Sequence, residues 1–167
     1  MGSETYHDGT MYEGTFVNGL KDGRGKYTYA DGATYEGDWH QDRMEGKKGV
    51  FTWPDGRQYS GTWQNNQMQG SGQMKYPDGS TYAGQFVNGK RKGFGMLSNK
   101  DGSSYEGFWK SDKEHGEGKY IDAQGAVKEG KWFKGQLLEQ SPKQTQKKSP
   151  AAKLKNSFSQ SGKKQTP

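Results

Sequence analysis

The chain contains no cysteine, which excludes a disulfide framework and any metal site built on thiolates. Only 27% of its 167 residues are hydrophobic, too few for an ordinary two-layer core. No apolar run is long enough to cross a bilayer, and no charged-then-apolar segment opens the sequence. We therefore expect a soluble, cytoplasmic protein that is not secreted.

Aromatic residues and glycine take the place of aliphatic ones. The chain has 27 Gly, 10 Tyr, 7 Phe and 5 Trp, and they recur in a fixed order. Six related segments begin 23 or 24 residues apart, each after a DG-like pair: YEGTF (12–16), YEGDW (35–39), YSGTW (59–63), YAGQF (82–86), YEGFW (105–109) and KEGKW (128–132). The repeat units thus start near Tyr12, Tyr35, Tyr59, Tyr82, Tyr105 and Lys128.

The period inside each unit is two residues, which indicates strands. In YEGDW, alternate residues such as Tyr35 and Trp39 share one face with Gly37, while Glu36 and Asp38 share the other. A second strand follows a glycine pair, and Asx-Gly turns join the strands. The prediction is an all-β fold, an elongated single-layer antiparallel meander of about twelve strands, twisted into a grooved ribbon.

Two places depart from the repeat. GKKG (46–49) adds one residue to the usual spacing, so we expect a bulge or a widened turn there. The sixth unit lacks the glycine pair, and Leu137 and Leu138 are expected to fold over the last edge strand. The predicted ribbon covers residues 1–138, and residues 139–167 form a disordered basic tail. Exposed edges at SETY (3–6) and AVKEGKW (126–132) would permit homo-oligomerisation.

Glycine on the ring-bearing face suggests how a single layer can cover its aromatic residues. A ring that lies diagonally opposite a glycine can fold onto the bare backbone. Two interpretations follow: the rings are only the core, or they also line a groove that receives an extended or helical segment of a partner. The second predicts a partner-binding groove formed by Tyr35, Trp39, Tyr59, Trp63, Tyr82, Phe86, Tyr105 and Trp109.

The pattern resembles the MORN (membrane occupation and recognition nexus) repeat, whose unit contains YEGxW, a glycine pair and DG. The resemblance covers roughly residues 2–135 and implies a β-hairpin ribbon. MORN arrays occur as interaction scaffolds in cilia, flagella and cytoskeletal structures, and as accessory modules of junctophilins and some lipid kinases. For this chain the resemblance implies a scaffold in a ciliary or flagellar axoneme, such as a radial spoke. The alternative is a peripheral membrane adaptor.

The tail has a different composition. Residues 136–167 hold seven Lys and one Glu, a net of +6, whereas residues 1–135 hold 18 basic and 18 acidic residues. Either the tail is a solvated terminus, or it docks on tubulin or an anionic lipid surface through Lys147, Lys148, Lys153 and Lys155. Few rings interleave the lysines, so nucleic acid is not an expected partner. Phosphorylation of Ser141, Ser149 or Thr166, each before proline, would weaken such docking.

Nothing in the sequence marks an enzyme, a cofactor site or a metal site. The three histidines, His7, His40 and His115, lie in different units. The glycine-rich segment LKDGRGKYT (20–28) has Leu20 and Tyr27 at positions where a phosphate loop needs Gly and Ser or Thr. We therefore expect no catalytic residues, no metal and no cofactor.

Overall fold

The computed structural model describes residues 1–141, which form one antiparallel sheet of 13 strands. Each strand pairs with its neighbours in sequence, without a crossover. The strands are β1 (Gly2–Thr5), β2 (Met11–Val17), β3 (Leu20–Thr28), β4 (Thr34–His40), β5 (Arg43–Thr52), β6 (Gln58–Gln64), β7 (Gln67–Lys75), β8 (Thr81–Val87), β9 (Lys90–Ser98), β10 (Ser104–Lys110), β11 (Lys113–Ile121), β12 (Val127–Phe133) and β13 (Gln136–Gln140). At the usual strand spacing the ribbon is about 58 Å long. The predicted single-layer meander is confirmed.

The C-terminal end differs from the prediction. Leu137 pairs with Trp132 in a thirteenth strand, and Leu138 is 67% exposed. The expected closure of the edge by these leucines is wrong, because a tight turn at Lys134 and Gly135 returns the chain as another strand. β12 is therefore an inner strand, and the edges of the sheet are β1 and β13.

β13 runs to Gln140, past the predicted boundary at residue 138. The predicted docking lysines of the tail, together with Ser149 and Thr166, lie outside the described residues. Ser141 is described, and its backbone N–H donates to the carbonyl of Glu129 at 2.7 Å. That bond ties the last described residue to β12.

Two kinds of turn alternate along the ribbon. In the two-residue turns, exemplified by Asn18-Gly19, both residues have positive φ, 51° and 79°, as type I′ hairpins require. In the Asp-Gly turns only the glycine does, and the aspartate acts through its side chain. The carboxylate of Asp101 accepts a hydrogen bond from the backbone N–H of Ser103 at 2.9 Å and another from the hydroxyl of Ser103 at 2.7 Å. These turns are therefore longer than a two-residue hairpin.

A bulge in the second strand lies opposite the residue that follows the central glycine in several units. In the β6–β7 pair one residue separates Gly61 from Trp63, whereas three residues separate their partners on β7, and equivalent register shifts recur in the β2–β3 and β8–β9 pairs. The pairing of β5 with β6 is also irregular between Gly46 and Gly49. The bulge predicted from the one 24-residue interval is confirmed.

The tyrosine that opens each of the first five units forms the centre of the core. Tyr59, with no exposed surface, lies against Gly61 on its own strand and Gly72 on the facing strand. Its hydroxyl donates to the carbonyl of Thr62, the residue opposite the bulge of β7, at 3.0 Å. Burial raises the pKa of Tyr59 to about 12. The predicted packing of a ring on a glycine of the facing strand is confirmed. The ring also packs on the central glycine of its own strand.

Candidate partner-binding surface

One face of the sheet carries the rings, and it is called here the ring face; the other is the back face. The eight residues predicted to line a groove all lie on the ring face, and none is more than 5% exposed. Within a unit their rings meet edge to face, as in Tyr59 and Trp63 at 5.3 Å. The indole N–H of Trp63 also donates to the carbonyl of Gly49 at 3.2 Å. The structure thus brings the eight together as core, which leaves almost none of their surface for a partner.

The accessible apolar surface of the ring face is instead made by residues of the second strands and the turns that follow them. Tyr27, Tyr29, Phe51 and Trp53, named here the aromatic ladder, are half-buried. Their successive ring centroids are 4.6, 5.6 and 4.6 Å apart. The sequence places aromatic residues at these positions, but only the structure distinguishes these rings from the buried ones.

A depression adjoins the aromatic ladder. It has a volume of about 280 Å³, and its apolar lining includes Met44 and Met68 as well as Phe51, Trp53 and Trp63. Methionine side chains adapt to the shape of a partner more readily than branched ones. The ladder and the depression together form an apolar surface over the first three units.

A further position on the ring face was missed by the sequence analysis. It lies two residues before each glycine pair and is called here the cap position; its occupants are Lys21, Met44, Met68, Arg91 and Glu114. The guanidinium carbon of Arg91 is 4.2 Å from the ring centroid of Trp109. The ammonium of Lys21 is 5.6 Å from the rings of Tyr12 and Tyr27. The residue at the cap position is a cation, a methionine or a carboxylate in different units, while the aromatic positions beside it stay aromatic. That variation is the feature of the sequence that could have revealed the cap position.

Both cationic cap residues are held by the next two-residue turn. Lys21 pairs with the carboxylate of Asp42 at 3.1 Å, and Arg91 donates to the backbone carbonyl of Asp112 at 2.7 Å. The hydrogen bond from the backbone N–H of Lys21 is the main cause of the lowered pKa of Asp42. The cations are therefore anchored at fixed places on either side of the methionine depression.

Within residues 1–141 no three His, Asp or Glu side chains come together as metal ligands would, and His40 pairs with Asp22 at 3.1 Å. The same residues include no helix of the length and apolarity needed to span a membrane.

Comparison with known proteins agrees with this geometry. The MORN repeat model matches residues 12–34, 35–56, 59–81, 82–104 and 105–127. The chain belongs to the MORN repeat family. Membership in the MORN family indicates a protein-interaction or scaffold module. The sixth unit of the MORN ribbon, with Lys128 in place of tyrosine, lies outside the matched residues.

Solved structures with some likeness to the MORN ribbon include two of the TCP10 domain of CPAP from Danio rerio. The E1021V mutant is 20% identical over 82% of this chain and 69% of that chain, with a TM-score of 0.37. The wild-type domain is 18% identical over 83% and 98%, with a TM-score of 0.20. These likenesses carry no inference about function. No curated protein matches the chain.

Proposed function

We propose that this MORN ribbon is a non-enzymatic scaffold that binds an elongated segment of another protein on its ring face. The observation that carries the proposal is the aromatic ladder with the adjoining methionine depression. A contiguous apolar surface on a folded protein usually serves as a binding surface. The tyrosine and tryptophan rings would also supply rigid contact area at low entropic cost.

The spacing of the ladder favours a helix over an extended strand as the bound segment. Equivalent residues of successive units are two strands apart, or about 9.6 Å. A helix lying along the ribbon advances about 10.5 Å in seven residues, so one apolar residue per heptad would meet each unit. Side chains on one face of an extended strand recur about every 6.7 Å, which does not match. An amphipathic helix is therefore the partner that the ring face fits best.

The proposed setting is a ciliary or flagellar axoneme, such as a radial spoke. A ribbon about 58 Å long with equally spaced docking positions suits an assembly whose subunits stand at fixed intervals. The proposal also includes a cytoskeletal location in the cytoplasm and contact of the basic tail with tubulin. The MORN arrays of cilia and flagella support this setting by family analogy.

The test compares two tagged variants expressed in ciliated cells. Phe51→Ala with Trp53→Ala removes half of the aromatic ladder, and Phe133→Ala removes an exposed ring from the back face. We expect the first variant to disappear from isolated axonemes and the second to remain. Retention of both variants would refute binding through the ladder. Absence of the unmodified protein from axonemes would refute the proposed setting.

The alternative, a peripheral membrane adaptor, is supported by the excess of positive charge in the tail. Co-sedimentation of the full chain with phosphatidylserine vesicles tests it, using a variant in which Lys147, Lys148, Lys153 and Lys155 are changed to Gln. Salt-sensitive pelleting that the variant loses would support the adaptor. Equal pelleting with and without anionic lipid would exclude it.

A further inference from the structure

The back face carries an aromatic pair where neighbouring units carry polar pairs. Phe94 on β9 faces Phe108 on β10, with ring centroids 5.6 Å apart. One unit earlier the same register holds Ser71 and Gln85, joined by a hydrogen bond of 2.9 Å. Further towards the N-terminus it holds the charged pair of Arg24 and Asp38.

Apolar surface at this place is larger than a single side chain. Met96 follows Phe94 on the same face, and the three residues are 44–50% exposed. A lone exposed phenylalanine such as Phe133 is ordinary on a protein surface, but a contiguous apolar group indicates an interaction. Phe94, Met96 and Phe108 are called here the back patch.

A depression of about 260 Å³ adjoins the back patch and has negative charge. Its charged lining consists of three carboxylates and one ammonium: Glu106, Glu117, Glu129 and Lys119. The corresponding depression near the N-terminus is balanced, with Glu13 and Glu36 against Arg24 and Lys26. A segment that combines apolar side chains with lysines would therefore complement the depression beside the back patch.

The described part of the chain ends at a residue bonded to the lining of this depression. Ser141, the last described residue, donates to the carbonyl of Glu129, and Glu129 lines the depression. Three strand spacings, about 14 Å, separate β13 from β10. Twenty-six residues follow Ser141, and they include the segment Lys-Leu-Lys-Asn-Ser-Phe (153–158), with apolar residues at Leu154 and Phe158.

We propose that residues 153–158 of the same chain dock on the back patch, with Leu154 and Phe158 against the two phenylalanines and the lysines beside the carboxylates. The linker from Ser141 to Leu154 is 13 residues, whose root-mean-square span of about 20 Å is sufficient to bridge the distance of about 14 Å from β13 to β10. Such a tether holds the segment at an effective concentration on the order of millimolar. Docking on the back face leaves the ring face open, so this inference does not depend on partner binding at the ring face; it occupies Lys153 and Lys155 and therefore competes with the proposed contact of the tail with tubulin.

Disulfide trapping in the full chain tests the docking, because the chain has no cysteine of its own. Ser104→Cys places one thiol on the back face, two residues from Glu106, and Ser157→Cys places the other beside Phe158. The rate of intramolecular disulfide formation is measured in a glutathione buffer at low protein concentration. The matched control adds Phe94→Ser and Phe108→Gln, the polar pair that the preceding unit carries at the same register.

The docked segment should form the disulfide about tenfold faster than the control, because binding adds to the local concentration that the tether alone provides. Leu154→Ser with Phe158→Ser should lower the rate to the same extent. Equal rates in all three proteins would overturn the proposal, since tethering alone would then account for the disulfide. A disulfide that forms mainly between two molecules would also overturn it and would identify a second copy as the occupant.

Discussion

Replacing Gly61 by valine tests whether the central glycines are needed as seats for the tyrosine rings. Valine favours strands and Gly61 lies in the middle of β6, so propensity alone predicts a more stable protein. The structure predicts the opposite. A Cβ atom at residue 61 would lie 2.6 Å from the Cα of Gly72, the carbonyl oxygen of Ser71 and the hydroxyl of Tyr59. Two of these atoms are backbone, so no rotamer change relieves the contact.

The cost follows from the two ways in which the contact can be relieved. If β6 and β7 separate, the overpacking cost is about 1–3 kcal/mol, with the weakened strand pairing added. If the tyrosine ring leaves its seat instead, roughly 150 Å² of aromatic surface returns to water, which costs about 4 kcal/mol. We therefore expect Gly61→Val to lower the free energy of unfolding by about 3–5 kcal/mol.

Urea unfolding of the full chain measures this cost, with Ser60→Val as the control. Ser60 is the preceding residue on the same strand but faces the back, where it is exposed, so its substitution should change stability by less than about 0.5 kcal/mol. Equal effects of the two substitutions would refute the reasoning. A substitution at Gly72 tests the contact with the tyrosine ring alone, because the three atoms nearest to an added Cβ all belong to Tyr59. Gly72→Ala should therefore cost at least about 1 kcal/mol less in a Tyr59→Leu background.

Three other predictions concern single groups. Trp109→Phe removes the donor to the Gly95 carbonyl, a bond of 3.1 Å, and should cost about 1–3 kcal/mol in urea unfolding; no change would contradict a role for that bond. Burial raises the pKa to about 12 at each of Tyr59, Tyr82 and Tyr105. The folded state therefore retains phenolic protons that the unfolded chain releases near the ordinary pKa of 10.0. In a circular-dichroism titration, stability should be complete below pH 10 and should fall as the pH rises towards 12. The hydrogen bonds from Ser103 hold the pKa of Asp101 below its ordinary 3.8. Asp101→Ala should therefore lower the melting temperature at pH 7, and the difference in melting temperature from the unmodified protein should vanish as the pH falls through the folded-state pKa. A difference that persists in acid would contradict this cause.

The strands and their order were predictable because the signals are local. A two-residue period, a turn signal in every unit and a constant interval leave few alternatives to a meander. The bulge at residues 46–49 was predictable from one extra residue in that interval. The last strand was not, because its first residues, including Leu137, lack the glycine pattern of the other units. Its pairing depends on the turn at Lys134 and Gly135 and on a free edge at β12.

The eight residues predicted to line a groove lie on the ring face, but they are buried there. Tyr35 and Tyr27 face each other across β3 and β4, so alternation alone treats them as equivalent. Tyr35 is fully buried because its ring lies over Gly37 and Gly49. Tyr27 has no such glycine seat and is only partly buried beside Trp39.

What the amino-acid sequence determined by itself is the repeating unit: strand, turn and glycine positions follow from backbone conformation and from a period of two, both of which act over a few residues. Tertiary structure decided which apolar groups remain in contact with water. On the ring face that choice depends on rings reaching glycines across a strand, as Trp63 reaches the carbonyl of Gly49. On the back face it depends on register, which sets Phe94 against Phe108. Burial is a property of the assembled sheet, because part of the cover of these rings comes from neighbouring strands.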